Sequence, residues 1–298
     1  MTKFFDFLFS KLLSEKAKAF IEPKIIILAI ASFVIHLIAI LLVDLELIEV
    51  SDPSNLFTNP IAAIYTPFSF ILIYEVYLLI YYLPKSITVY IGKQYEIMTL
   101  ILIRRLFKDL SGLELTPDWF KVRGDLVFTY DLIATVIMFF LIWVFYGLNP
   151  QKEEKKSPQF ELAPGTSQFV RLKNAIATIL VPIFIGIAFY SLFEWTYQNF
   201  FATGTTPDRI SKLDGIFFDR FFTILILVDV LLLLISFLRT DRFSTVIRNS
   251  GFVISTILIK ISFGTEGLLN NILVVVAVLF GVTMLWIHNK YERLPYSS

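Results

Sequence analysis

Apolar runs of membrane-crossing length dominate this chain, and charged residues lie inside or beside them. The runs cover roughly 24–43, 62–83, 126–147, 172–193, 217–238 and 268–288. A helix needs about 20 predominantly apolar residues to cross the hydrocarbon, so each run reads as a span. Two shorter runs, about 94–110 and 249–264, carry charge and read as a further helix in each half, either short and spanning or partly re-entrant. Hydrophobic residues make up 56% of the 298, and Phe alone contributes 31. A soluble core could not hide that much apolar side chain. The expected class is therefore all-α: a polytopic membrane protein with about eight membrane segments.

The segments fall into two similar sets. Tyr74-Glu75-Val76 and Val228-Asp229-Val230 each place a carboxylate inside a long hydrophobic run. Ile101-Leu102-Ile103-Arg104 follows the first, and Ile257-Leu258-Ile259-Lys260 follows the second. Each set reads as helices a, b, c and d, with a buried acid on b and a cation on c. The expected organisation is an interfacial helix over 1–22, a four-helix membrane repeat over 23–148, a cytosolic linker over 149–170 and a second repeat over 171–298. In helix d the only local echo is Leu141-Ile142-Trp143 against Met284-Leu285-Trp286.

Charge placement sets the expected topology, because cytoplasmic loops collect Lys and Arg. Lys3, Lys11, Lys16, Lys18 and Lys24 precede or open the first span, whereas Asp44, Glu46, Glu49 and Asp52 follow it without a Lys or Arg. Lys85 and Lys93 follow the first helix b, and Lys152, Lys155 and Lys156 follow the first helix d. Arg239, Arg242 and Arg248 follow the second helix b, and Lys290 and Arg293 end the chain. Both termini and the linker are expected in the cytoplasm. Phe4, Phe5, Leu8, Phe9, Leu12 and Leu13 recur at helical spacing among lysines, which predicts an amphipathic helix on the inner leaflet rather than a cleaved signal. The linker is rich in Pro, charge and small polar residues and cannot form a core. An even number of crossings per copy makes the repeats parallel, related by an axis along the membrane normal.

The run Ile73-Tyr74-Glu75-Val76-Tyr77-Leu78-Leu79-Ile80-Tyr81-Tyr82, then Val89-Tyr90-Ile91, then Ile103-Arg104-Arg105-Leu106-Phe107-Lys108-Asp109, resembles the phosphate-starvation-inducible PsiE family. These are small four-helix bacterial membrane proteins. The second copy resembles it through Val228-Asp229-Val230, Ile259-Lys260 and Leu285-Trp286-Ile287-His288-Asn289-Lys290. It departs by carrying Asp for Glu and Lys for Arg, and it lacks the Asp that should follow. The resemblance implies a four-helix membrane unit in a bacterial inner membrane and a tandem duplication of it. It implies no activity.

Ionisable residues inside spans are expensive, and they pair or line polar paths. Counting helix rise from the expected inner ends puts Glu75 about 12 Å deep and Arg104 about 16 Å. The same count puts Asp229 about 15 Å deep and Lys260 about 18 Å. Two intramembrane ion pairs are therefore expected, Glu75–Arg104 and Asp229–Lys260. They would fix helix register, or the cations would snorkel, or the pairs would serve ion passage or sensing. Secondary candidates are Arg105 and Asp131, the latter read as an interfacial or helix-start acid. Glu194 in Phe193-Glu194-Trp195 reads as part of an aromatic belt, His36 as a hydrogen-bonded core residue and Pro182 as a kink.

Several chemistries drop out. The chain has no cysteine and only two histidines, His36 and His288, far apart. No phosphate loop, paired-His zinc motif, nucleophile elbow or carboxylate pair at catalytic spacing occurs. A sensor helix needs Arg repeated along one face, and Lys93, Arg104 and Arg105 do not supply it. The expectation is no enzyme, no cofactor, no metal and no nucleic-acid partner. The preferred reading is a membrane scaffold, accessory or stress-response subunit, with lipid and a partner membrane protein or a second copy as its contacts. The alternative is an ion channel or small-solute transporter with a path between the repeats.

Overall fold

A computed structural model describes residues 7, 9–47, 60–84, 86–110, 123–149, 171–187, 190, 210–237, 243–265 and 267–293. Most of the linker, Glu194 with its aromatic neighbours, and the first six residues of the expected interfacial helix lie outside the described residues. All regular structure among the described residues is helical. The long helices are α1 (Glu15–Asp44), α2 (Tyr65–Tyr82), α3 (Ile87–Leu110), α4 (Arg123–Leu148), α5 (171–187), α6 (Ile210–Phe237), α7 (Phe243–Ser262) and α8 (Leu268–Tyr291). A short 3-10 turn, Pro60–Ile64, leads into α2.

Local chemistry explains several boundaries. The Ser14 hydroxyl accepts from the Ala17 amide at 3.1 Å and caps α1, with Glu15 in the first turn where the helix dipole favours an acid. α1 then runs on through Pro23, so the amphipathic start and the first span form one helix from Glu15 rather than separate at residue 22. A turn over 9–12 precedes it, and Tyr77 of α2 donates to the Leu12 carbonyl at 2.9 Å. At its far end α1 closes in a Schellman motif: Leu47 N bonds Leu42 O, Glu46 N bonds Val43 O, and Glu46 takes φ 58°. α8 opens at Gly267, whose φ of 63° suits glycine.

The helices pack as a row. Neighbours run α1, α2, α3, α4, α8, α7, α6, and α3 also touches α7. Phe184 of α5 meets Phe221 of α6 at 4.6 Å, which extends the row by one helix. The order reads alike from both ends, with the fourth helix of each half at the centre. The first half is an open row rather than the closed four-helix bundle expected, because among the described residues α1 packs on α2 without comparable packing on α4. Asp131–Asn271 contacts at one end and Leu148–Asn289 at the other show that α4 and α8 run parallel.

Among the described residues, three helices are long and apolar enough to cross a membrane by length and composition: Phe9–Asp44, Gly124–Leu148 and Leu268–Tyr291. Only 11% of the most apolar stretch of the first is buried, and large side chains such as Ile27, Ile30, Ile35 and Leu41 face outward. α4 likewise turns Ile133, Val136, Phe139, Phe140 and Trp143 outward. Apolar surface on this scale needs lipid or protein to cover it. The molecule is thus an all-helical chain with the features of a membrane protein.

Candidate functional site

The register of each b–c hairpin decides which charges can meet. Phe68 of α2 stacks on Phe107 of α3 with ring centroids 5.1 Å apart. Phe222 of α6 meets Phe263, just beyond α7, also at 5.1 Å. Moving seven residues along each antiparallel helix from these rings brings Glu75 opposite Leu100 and Asp229 opposite Thr256. Arg104 and Lys260 then lie four residues further on, one turn or about 6 Å along the axis. The two expected ion pairs are therefore offset by the same amount in both halves.

Glu75 points into a different charged group. Lys93, Glu96, Glu22 and Lys18 are the charges that act on it most strongly. Lys93 pairs with Glu96, Tyr146 donates to Glu96, and Lys93 and Lys18 both lie over the Tyr82 ring, at 5.4 and 5.7 Å. Arg104 itself is buried in α3. Glu75 thus belongs to a cluster near the α2–α3 turn, where α1, α2, α3 and α4 come together.

Asp229 is buried and receives a hydrogen bond from the Gln94 amide of α3 at 3.2 Å. The Gln94 carbonyl accepts in turn from Thr256 of α7 at 2.8 Å. Its neighbours are neutral, and Lys260 is not among them. The adjoining Tyr95 hydroxyl meets the Ser255 hydroxyl at 2.9 Å, and Ser255 donates to the Ala277 carbonyl of α8 at 2.7 Å. Gly281 makes room for Tyr95: a Cβ there would lie 1.7 Å from the Tyr95 oxygen.

An ion pair among the described residues joins the two secondary candidates. Arg105 grips Asp131 of α4 through Nε and Nη2. Arg105 also donates to Asn270 at 2.9 Å and to Asn271 at 2.5 Å, and Asn271 donates to Asp131 at 2.5 Å. Asn270 is held by donating to the Ser262 carbonyl that ends α7. Asp131 is 0% exposed while the Arg105 side chain keeps 29%, so the acid is buried in a seam between helices. Asn270 and Asn271 were not among the sequence candidates. Their signal is two adjacent amides opening an otherwise apolar helix, which in a membrane must find partners.

These contacts form one seam between the first and second halves. The Gln94 and Arg105 stations lie eleven residues apart on α3, about 16 Å. His36 bonds the Thr66 hydroxyl, but it is half-buried on α1 at the edge of the molecule rather than in the core. Pro182 lies within α5. No group of three or more acids and histidines that could hold a metal occurs among the described residues. No family model, curated protein or solved structure matches the chain.

Proposed function

We propose that the chain is a non-enzymatic integral protein of a bacterial inner membrane, a scaffold or accessory subunit built from two tandem four-helix units. The proposal includes eight membrane segments, cytoplasmic termini and kinship with the PsiE-like proteins, whose motif residues Glu75 and Arg104 prompted it. The mirrored packing order and the equivalent ring contacts, Phe68–Phe107 and Phe222–Phe263, support a duplication. The observation that carries the scaffold reading is the closed seam. Gln94, Tyr95, Asp131, Ser255 and Thr256 are each 0% exposed and hydrogen-bonded where a path between the repeats would run. Within lipid, packing and interhelical hydrogen bonds hold helices together, and the chain spends its polar groups there. The lipid-facing apolar surface of α1 is then available to a partner membrane protein or a second copy.

A channel or transporter is the second reading, favoured by the cavity beside Asp229. Purified protein in liposomes separates the two. Wild type, Glu75→Gln and Asp229→Asn should all give the background flux of protein-free vesicles. An ion or solute flux that Asp229→Asn abolishes would overturn the scaffold in favour of the path.

A further inference from the structure

Two buried aspartates in this seam have opposite electrostatic settings. Asp131 has a guanidinium on it. Asp229, 7% exposed, has a neutral amide and a neutral hydroxyl relay. Beside Asp229 lies a cavity of about 30 Å³, walled by α3, α6 and α7 and by Leu83 at the α2–α3 turn. About 10–15 Å³ of such space admits one water, so a water-sized guest fits. Tyr90 and Asn249 supply its other polar walls. The Tyr90 hydroxyl, on a residue 3% exposed, lies within reach of Asp229 and Gln94 without a well-formed hydrogen bond to either. A buried donor so loosely held can turn toward an occupant of the cavity.

We propose that Asp229, Tyr90 and this cavity form a binding site for one small monovalent cation, a proton or a sodium ion. A carboxylate at membrane depth without a counter-charge costs several kcal/mol, so a single positive charge has to be supplied. A single carboxylate among neutral oxygens suits one charge, whereas calcium or magnesium takes more acids and six or more oxygens. No cation of α7 is among the groups that act on Asp229, although Arg248 lies behind Asn249 in the cavity wall. Arg248 bonds His288 and Asn249, and Lys260 lies one turn beyond Thr256. α3 contributes Tyr90 and Gln94, and the α6 residues lining the cavity besides Asp229 are Leu232 and Leu233. The site holds whether or not the seam conducts, so it stands apart from the scaffold reading.

The test uses the full chain in lipid nanodiscs, with thermal unfolding read by tryptophan fluorescence. Sodium chloride is titrated against choline chloride at fixed pH and ionic strength, and a second series varies pH without sodium. A ligand that binds only the folded chain raises its melting temperature with concentration. Wild type should gain stability over Asp229→Asn as sodium rises, identifying sodium, or only as pH falls, identifying the proton. Glu75→Gln should keep that dependence, and Tyr90→Phe should shift its midpoint roughly fivefold. Wild-type and Asp229→Asn curves that run parallel in both series overturn the site, as does an unshifted Tyr90→Phe midpoint. Failure of Asp229→Asn to fold also overturns it, because a neutral side chain of the same shape needs no cation.

Discussion

Asp131 shows what a buried charge requires. Its two oxygens take bonds from Arg105 and Asn271, and none of its surface is left to solvent. Removing its cation should therefore cost more than removing the acid. Arg105→Leu strands a fully buried carboxylate and should lose roughly 3–5 kcal/mol of stability. Asp131→Leu should cost less, because a long cationic side chain already 29% exposed can turn to water. The double replacement should recover much of the loss, and unfolding in mixed micelles would measure all three. Gly281→Ala should lose about 1–3 kcal/mol, because its methyl displaces the Tyr95 hydroxyl from Ser255. Tyr95→Phe in that background should restore part of it, and an additive result would count against this contact.

At the scale of the helix, length and apolarity were plain in the sequence, and register was not. The eight helices fall close to the apolar runs because spacing and composition report burial directly. The pairing of Glu75 with Arg104 and of Asp229 with Lys260 rests on depth counted back from approximate helix ends. A depth count carries an error of about one turn, and one turn is what separates acid from cation in both hairpins. The rings at Phe68–Phe107 and Phe222–Phe263 set the true register, and aromatic partners cannot be assigned from a chain so rich in Phe. Asp131 falls early in its helix, which by itself suggests an interfacial or helix-start acid. The amides that bury it, Asn270 and Asn271, come from the other half of the chain. The α1 terminus gives a test of its own. Glu46 holds a left-handed conformation that a side chain resists, so Glu46→Gly should gain about 0.5–1 kcal/mol locally. Slower hydrogen exchange over residues 42–47 would show it.

Across the whole molecule, the two halves meet through α4 and α8, with α3 and α7 closing the same seam. Apolar side chains such as Phe145 and Phe252 pack across it, and side-chain hydrogen bonds cross it as well: Gln94 to Asp229 and Thr256, Tyr95 to Ser255, Arg105 to Asn270 and Asn271, and Asn289 to the Leu148 carbonyl. Apolar side chains gain little from one another in lipid, so such contacts and close packing at Gly281 decide which helices associate. The chain's lack of cysteine permits a direct measurement. Leu148→Cys and Asn289→Cys together place two thiols where the Asn289 amide reaches the Leu148 carbonyl at 2.6 Å. A protease site is added within 150–170, and a short bismaleimide is applied in native membranes. The fold described here predicts that cleaved, cross-linked protein migrates at full length. Separation into two fragments, with each thiol singly labelled, would contradict the face-to-face packing of the halves.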